Sequence, residues 1–211
     1  MNPSAPRTPA IALFGGVFDP IHAGHLAVAR AACRRYRLDC VYFIPSGHPP
    51  HKAAAKLTAF EHRYAMVALA CAGDRRFIPS LAEAGTSGAG RIFYTIDTVR
   101  CFRRKFAGTS ARLYFILGAD AFLQIGTWKE YRRLLDACEF IVAHRPGFGL
   151  KDAARGNTGG IAAGTAHLLR AVSSEVSSTE IRHRRKQGRS IHGLVPAPVE
   201  DYIEKQALYC E

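Results

Sequence analysis

The chain has 211 residues, of which 48% are hydrophobic and 22% charged, and these values are typical of a globular protein with one sizeable core. Its 29 lysines and arginines outnumber its 17 acidic residues, and the net charge of +12 indicates anionic partners: nucleic acid, a membrane surface or phosphorylated small molecules. No apolar run approaches the length that spans a bilayer, which argues against a membrane-spanning protein.

The cysteines and the first residues both favour a cytoplasmic protein. None of the six cysteines forms a CxxC pair or lies at zinc-ligand spacing from two histidines, so we expect reduced and mostly buried thiols. The opening sequence MNPSAPRTPA has no apolar segment of the kind found in signal peptides. We expect a disordered lead-in over residues 1–9, followed by a single domain over residues 10–211.

Short apolar runs and stretches with helical spacing alternate along the chain, separated by turns rich in glycine or proline. The first half contains these predicted elements in chain order: strand Ala10–Phe14, helix Ala23–Tyr36, strand Val41–Pro45, helix from Thr58 to about Ala72, strand Arg76–Pro79 and helix Thr95–Phe106. The second half contains strand Arg112–Leu117, helices Ala119–Ile125 and Trp128–Leu135, strand Phe140–Ala143, strand His167–Val172 and helices Ser178–Gln187 and Pro198–Leu208. For the second helix, Thr58 is the expected N-cap and Glu61 its capping-box partner.

This alternation predicts an α/β protein built from right-handed βαβ units, with a parallel sheet covered by helices on both faces. In such sheets, ligands bind beyond the carboxyl ends of the strands, where loops lead into helices. Four loops of unusual composition follow predicted strands, and we expect them to converge on one cleft: Gly15–Gly24, Ser46–Lys52, Gly118–Asp120 and Ser173–Thr179.

The first of these loops, GGVFDPIHAGH over Gly15–His25, has the composition of an anion-binding turn. Its glycines permit close approach of the backbone to a ligand, and the following helix N-terminus offers free N–H groups to phosphate. His22 and His25, three residues apart, would both project near that terminus. Spacing alone leaves open a phosphate cradle, a general base, an ordinary turn with surface histidines, or a metal site shared with Asp19. The GxxxxGK[ST] and GxGxxG patterns are absent from the sequence.

Two separated motifs resemble one enzyme superfamily. GGVFDPIHAGHL resembles the GG[ST]FDPxHxGH signature of nucleotidyltransferases that transfer AMP or CMP from a nucleoside triphosphate, and VSSTEIR over Val176–Arg182 resembles their [IV]SSTxIR element. The segments IPSGHPPHK, YTIDTVR, FILGADAFLQIGTWKEY and HRPG resemble the bacterial nicotinate-nucleotide adenylyltransferase family, from about residue 10 to residue 209. The resemblance implies a Rossmann-like doubly wound parallel sheet, with a small helical portion over about residues 178–211.

The resemblance also implies which residues bind ATP. Histidines and Arg182 would hold its phosphates and act catalytically, glycines and Phe18 would shape the adenylate pocket, and Gly118 with Asp120 would contact the ribose. Ser178 and Thr179 would hold the phosphates from the opposite wall of the site, although either could simply cap a helix. The implied ATP-binding residues are Gly15, Gly16, Phe18, His22, His25, Gly118, Asp120, Ser178, Thr179 and Arg182.

The acceptor implied by the resemblance is nicotinate mononucleotide. Thr95 and Trp128, with neighbouring backbone amides, would recognise its ring and carboxylate, although a lone tryptophan is more often a core residue. His51 and Lys52 would approach a phosphate from their loop. The product would be nicotinate adenine dinucleotide, formed with release of pyrophosphate by direct in-line attack. Because the attacking phosphate is already an anion, no general base is needed.

The sequence offers no cluster of carboxylates for a metal cage, so Mg²⁺ would arrive with the ATP phosphates, and no prosthetic group is expected. The implied partners are therefore these two small molecules, with no nucleic acid and no membrane, and a homo-oligomer stays open. Two alternatives also stay open: another acceptor, either nicotinamide mononucleotide or phosphopantetheine, and a basic nucleic-acid-binding protein suggested by the runs CFRRKF and RHRRKQGR.

One position departs from the family pattern. Val17 stands where the family usually has threonine or serine, so a hydroxyl near the phosphates is absent. Backbone N–H groups could hold the phosphates in its place. We expect weaker phosphate contact rather than loss of activity.

Overall fold

The computed structural model describes residues 7–47, 57–85, 92–143, 165–169 and 176–210. These residues form six strands, seven α-helices and a 3₁₀ turn over Ile125–Thr127. The strands are β1 (Ala10–Gly16), β2 (Cys40–Pro45), β3 (Phe77–Pro79), β4 (Arg112–Gly118), β5 (Glu139–Ala143) and β6 (Ala166–Leu169). The helices are α1 (Ala23–Tyr36), α2 (Phe60–Cys71), α3 (Thr95–Lys105), α4 (Ala119–Leu123), α5 (Tyr131–Ala137), α6 (Ser178–Lys186) and α7 (Ala197–Lys205).

The strands form one parallel sheet in the order β3-β2-β1-β4-β5-β6, which confirms the predicted doubly wound α/β fold. The chain runs outward from β1 to β3 and then returns to place β4 on the other side of β1. The strand order therefore reverses between β1 and β4, and a crevice opens there at the carboxyl ends of the strands.

Two apolar layers cover the two faces of the sheet. Alternate residues of β1 point to opposite layers, because successive side chains of a strand face opposite sides: Phe14 joins the layer under α1, α2, α6 and α7, and Leu13 joins the layer under α3, α4 and α5. Both side chains are buried, at 7% and 0% exposure. Burial on both faces explains why the strands read as continuous apolar runs.

The start of α2 differs from the sequence expectation. Thr58 does not cap this helix: Ala59 is the N-cap residue, and no side chain bonds to the first turn. The backbone N–H of Thr58 instead donates to Oδ2 of Asp19 at 3.2 Å, and its carbonyl oxygen accepts from Nε of Arg63 at 2.9 Å. The expected capping box with Glu61 was therefore wrong, because the Thr58 N–H that the Glu61 carboxylate would accept from donates to Asp19 instead.

Other boundaries shift by smaller amounts. The helix expected from Trp128 begins at Tyr131, after the 3₁₀ turn, and β6 is described as far as Leu169. Arg7, within the expected lead-in, donates to the carbonyl oxygen of Arg37 at 2.9 Å and pairs with Asp39.

All six cysteines are free thiols. None of the described helices combines the length and apolar character needed to cross a membrane.

Candidate active site

A cleft of about 880 Å³ lies at the carboxyl ends of β1, β2, β4 and β5, where the strand order reverses. Its volume falls within the range of small-molecule sites, roughly 300 to 1,000 Å³. Each of the four loops expected to converge contributes to its lining, through residues such as Gly16, Ser46, Gly118 and Val176. The topological prediction of one shared cleft is therefore confirmed for the described parts of these loops.

The floor of the cleft beside β1 consists of glycine backbone lying on aromatic rings. A Cβ atom built on Gly16 would lie 2.9 Å from the Phe18 ring, and one built on Gly15 would lie 3.0 Å from the ring of Phe115. Both contacts are closer than side chains normally make. The two glycines are thus needed by the packing beneath them, in addition to leaving their backbone open to the cleft.

His22 and His25 form one unit at the start of α1. The backbone N–H of His22 donates to Nδ1 of His25 at 3.2 Å, and the two rings lie with centroids 3.7 Å apart and planes tilted by 32°. The edge of the Phe18 ring meets the ring of His25 at 5.0 Å, and both histidines line the cleft. Because Nδ1 of His25 accepts a hydrogen bond, the neutral ring carries its proton on Nε2 and is a donor there.

The SSTEIR segment holds the turn between β1 and α1 rather than lining the cleft. Oγ of Ser178 donates to the carbonyl oxygen of Pro20 at 2.9 Å, and Nη1 of Arg182 donates to the carbonyl oxygen of Asp19 at 2.6 Å. Ser177 is the N-cap residue of α6, and its Oγ accepts from the N–H of Glu180. The alternative that Ser178 caps the helix was therefore wrong by one residue.

The Asp19 side chain is buried within the same turn, at 4% exposure. Its Oδ1 accepts from the hydroxyl of Tyr209 at 2.7 Å, and its Oδ2 accepts from the N–H of Thr58 at 3.2 Å. Burial raises the pKa of Tyr209, and the charge of Asp19 raises it further. Asp19 is thus engaged in holding the turn, and it is not placed as a metal ligand beside the histidines.

The opposite wall of the cleft is formed by the start of α3 and by the 3₁₀ turn. Thr95 is the first residue of α3, after the N-cap Tyr94, and both line the cleft. Trp128 also lines it and packs edge-on against Phe115, with ring centroids 6.4 Å apart. Nζ of Lys129 lies 4.1 Å from the centre of the Tyr94 ring, which brings a cation to this wall.

The structure brings together at the cleft seven of the residues implied to bind ATP or the acceptor. These seven are Gly15, Gly16, His22, His25, Thr95, Gly118 and Trp128, and Val17 lines the cleft beside them. The remaining described ones do not line it: Phe18 packs beneath Gly16, Asp120 is exposed in the first turn of α4, and the α6 group contacts the β1–α1 turn. Thr179 belongs to this group, as its Oγ1 lies 3.4 Å from Nη2 of Arg182. His51 and Lys52 lie outside the described residues.

Sequence reasoning missed two charged residues next to the cleft, Arg63, which is buried, and Glu83, which is half-buried. Arg63 is 2% exposed and donates to three backbone carbonyl oxygens, and Glu83 lines the cleft and accepts from the hydroxyl of Thr98 at 2.8 Å. A signal for Arg63 was available: it lies three and four residues before Met66 and Val67, on the apolar face of α2. An arginine on such a face is buried only when its donors are satisfied.

Metal-binding groups were also sought among the described residues. No group of three or more histidine, cysteine, aspartate or glutamate side chains there is arranged to hold a metal ion.

The family model described as "Cytidylyltransferase-like" matches residues 13–184 of the chain. A curated relative from Moorella thermoacetica, named "Probable nicotinate-nucleotide adenylyltransferase", is 43% identical over 205 residues, which cover 96% of this chain and 93% of the relative. A relative of the same name from Thermus thermophilus is 42% identical over 199 residues, covering 94% and 98%.

Among solved structures, the Plasmodium falciparum nicotinic acid mononucleotide adenylyltransferase complexed with NaAD has a TM-score of 0.75. It is 20% identical to this chain, and the superposition covers 95% of this chain and 97% of that one. A likeness at this identity concerns the fold alone, and it agrees with the doubly wound sheet described above.

Proposed function

The chain belongs to the cytidylyltransferase-like family and, within it, to the nicotinate-nucleotide adenylyltransferases, and from this membership we infer its reaction. The protein is an enzyme that transfers AMP from ATP to nicotinate mononucleotide, forming nicotinate adenine dinucleotide and pyrophosphate in NAD biosynthesis. The structural observation that best supports this activity is the pair His22 and His25 at the start of α1, next to the open glycine backbone of β1.

We propose that the chemical step is a single in-line displacement. A phosphate oxygen of nicotinate mononucleotide attacks the α-phosphorus of ATP, and the bond to pyrophosphate breaks as the new P–O bond forms. The nucleophile is ionised at neutral pH, so the protein has no proton to remove. Its contribution is then to position two polyanions and to stabilise the charge that develops on the transferred phosphoryl group.

In this proposal, the β1–α1 turn receives the triphosphate. The N-terminus of α1 presents the positive end of its dipole, and His25 adds a donor through Nε2. The backbone N–H of Ala23 donates to the carbonyl oxygen of Leu194 at 2.8 Å, so the dipole and the histidine, rather than this N–H, would act on the phosphates. Arg182 and Ser178 act through the turn, since their hydrogen bonds fix the carbonyl groups of Asp19 and Pro20. Gly118, between β4 and α4, would contact the ribose.

The wall formed by Thr95 and Trp128 would receive the acceptor. The N-terminus of α3, which no side chain caps, suits the nicotinate carboxylate, since an anion is favoured at a helix N-terminus. Trp128 would contact the ring face, and Lys129 would supply a cation at the same wall. An uncharged carboxamide would pair less well with these donors, so we expect a preference for the acid form.

Mg²⁺ would enter this site on the ATP phosphates, as part of the substrate. When bound there it neutralises part of the phosphate charge. Asp19 would not hold it, because its carboxylate is buried inside the turn, where it accepts from Tyr209 and Thr58. Cytoplasmic location remains part of the proposal, supported by the free cysteines.

The experiment that tests this function measures pyrophosphate release from MgATP with nicotinate mononucleotide, nicotinamide mononucleotide and phosphopantetheine as separate acceptors. We expect the fastest release with the first. Faster release with either of the other two would replace the acceptor but keep the reaction class. If no acceptor gives release while a related adenylyltransferase is active under the same conditions, the proposal is wrong.

A further inference from the structure

The peptide groups of Gly47, at the end of the described part of the β2 loop, are held by a charged side chain on each side. Nη2 of Arg63 lies 3.5 Å from the carbonyl oxygen of Gly47, and the Gly47 N–H stabilises the carboxylate of Glu83. A Cβ atom built on Gly47 would lie 2.2 Å from the backbone oxygen of Glu83. Any larger residue would have to push the two segments apart.

Glu83 connects Gly47 to the wall expected to bind the acceptor. Its Oε1 accepts from Oγ1 of Thr98 at 2.8 Å, and Thr98 lies on α3 one turn after Thr95. Burial raises the pKa of Glu83, while the Thr98 hydroxyl, the Gly47 N–H and the charge of Arg63 oppose that rise. The carboxylate is therefore surrounded by donors that hold it in one place.

Arg63 connects Gly47 to the β1–α1 turn, which would receive the triphosphate. Its Nη1 donates to the carbonyl oxygen of Val17 at 2.9 Å, and its Nε donates to the carbonyl oxygen of Thr58 at 2.9 Å. Thr58 in turn donates its N–H to Asp19, so the guanidinium group supports the β1–α1 turn from two directions. Only the planar, five-donor guanidinium group can reach three carbonyl groups in this way.

We propose that Glu83 and Arg63 are positioning residues for adenylyl transfer, and that each sets one wall of the cleft relative to Gly47. Glu83 positions the start of α3 for the acceptor, and Arg63 positions the β1–α1 turn for ATP. The inference rests on the proposed function for the identity of the two substrates. Neither residue touches the reacting atoms in this scheme, and their effects reach the reaction through Thr98, Gly47 and Val17.

The test for Glu83 replaces its partner. Thr98 is 4% exposed and does not line the cleft, so Thr98→Val removes the hydroxyl without changing the volume or the cleft surface. We expect the KM for nicotinate mononucleotide to rise about tenfold, as for loss of a hydrogen bond to a charged group, while the KM for ATP changes less than about twofold. Thr98→Ser keeps the hydroxyl and should restore both values. Thr109→Val, at an exposed turn, is the matched control and should change neither KM.

The test for Arg63 uses Arg63→Lys, which keeps the charge but reaches fewer carbonyl groups. We expect the opposite pattern, with the KM for ATP raised about tenfold and the KM for the acceptor changed less.

Thr98→Ala is a second variant for the Glu83 test, in case Thr98→Val unfolds, because it also removes the hydroxyl and cannot overpack the core. Urea denaturation of every variant shows whether the protein used in the assay is folded.

Two results would overturn the inference. One is a rise of both KM values together in Thr98→Val and in Arg63→Lys, which is the behaviour of a generally loosened core. The other is a Thr98→Ser protein as impaired as Thr98→Val. Failure of the proposed function is recognised separately, since the wild-type protein would then give no turnover with nicotinate mononucleotide. The same variants would next be compared with whichever acceptor the wild-type protein uses.

Discussion

Tyr209 donates a hydrogen bond from its hydroxyl to Oδ1 of Asp19 at 2.7 Å, and so joins the segment after α7 to the turn between β1 and α1. Asp19 has an N–H donor at its other oxygen, from Thr58. The carboxylate is buried, so each of these donors offsets part of the cost of removing the charge from water. The shape of the β1–α1 turn thus depends on a residue that does not line the cleft.

Tyr209→Phe should therefore destabilise the protein. Removing the hydroxyl leaves one oxygen of a buried carboxylate without its donor, and we expect the free energy of unfolding to fall by about 1 to 3 kcal/mol. Urea denaturation followed by circular dichroism measures the change. Tyr202→Phe is the control: its hydroxyl lies 2.9 Å from Nδ1 of the half-buried His62 rather than against a buried carboxylate, and we expect a smaller loss. Equal losses would argue against a special role of Asp19.

His25→Ala should slow the reaction far more than it weakens substrate binding. The variant loses the Nε2 donor proposed for the transferred phosphoryl group, and loss of one such donor typically lowers kcat about 100-fold or more. Steady-state assays of pyrophosphate release measure kcat and both KM values. His62→Ala, on α2 and bonded to Tyr202, is the control and should keep most of the activity. A His25→Ala enzyme with wild-type kcat would contradict the proposed mechanism.

Val17→Thr tests the departure from the family motif. Val17 lines the cleft, and its carbonyl oxygen is held by Arg63, so the backbone there should not move when the side chain changes. A hydroxyl added at this position should lower the KM for ATP about two- to tenfold through one hydrogen bond to phosphate. Val17→Ala is the control, because it makes the side chain smaller without adding a hydroxyl. An unchanged KM in the threonine variant would show that the hydroxyl is dispensable.

Asp74→Asn should change how stability depends on pH. The Arg76 side chain and backbone N–H donate to Asp74 at 2.7 to 3.1 Å and lower its pKa from 3.8 to about 2. Because the pKa is lower in the folded state, the carboxylate stabilises the fold above the unfolded pKa, and this contribution is lost as the pH falls toward about 2. Urea denaturation of both proteins between about pH 5 and pH 2 should show their difference shrinking on acidification. A difference that stays constant would contradict the pairing.

The sheet and most helices could be predicted from the sequence because their patterns are local. The bounds predicted for the first helix, Ala23–Tyr36, agree with α1. The glycine-rich turn before it marks where the helix begins, and the alanine-rich helical spacing marks its length. The parallel sheet followed from the alternation of strands with helices. The family resemblance then identified seven residues that line the cleft, because its motifs lie at strand ends.

The remaining parts of the site depend on contacts between distant segments, which a local pattern does not record. Thr58 has the sequence signature of a helix cap, yet its backbone serves Asp19 and Arg63 instead. Arg182 donates to the carbonyl oxygen of Asp19 in the β1–α1 turn, a contact that its motif does not record. Glu83 carries no motif of its own, and only the fold brings it against Gly47 and Thr98.

The three side chains that secure the β1–α1 turn from the other end of the chain also determine when the site can form during synthesis. Ser178, Arg182 and Tyr209 bond to partners 158, 163 and 190 positions earlier. A ribosome adds about 5 to 20 residues per second, so the turn emerges many seconds before its last supports. The β1–α1 turn therefore gains its last supports only when α6 and Tyr209 have docked. With ATP bound at this turn as proposed, nucleotide affinity would report completed folding of the protein.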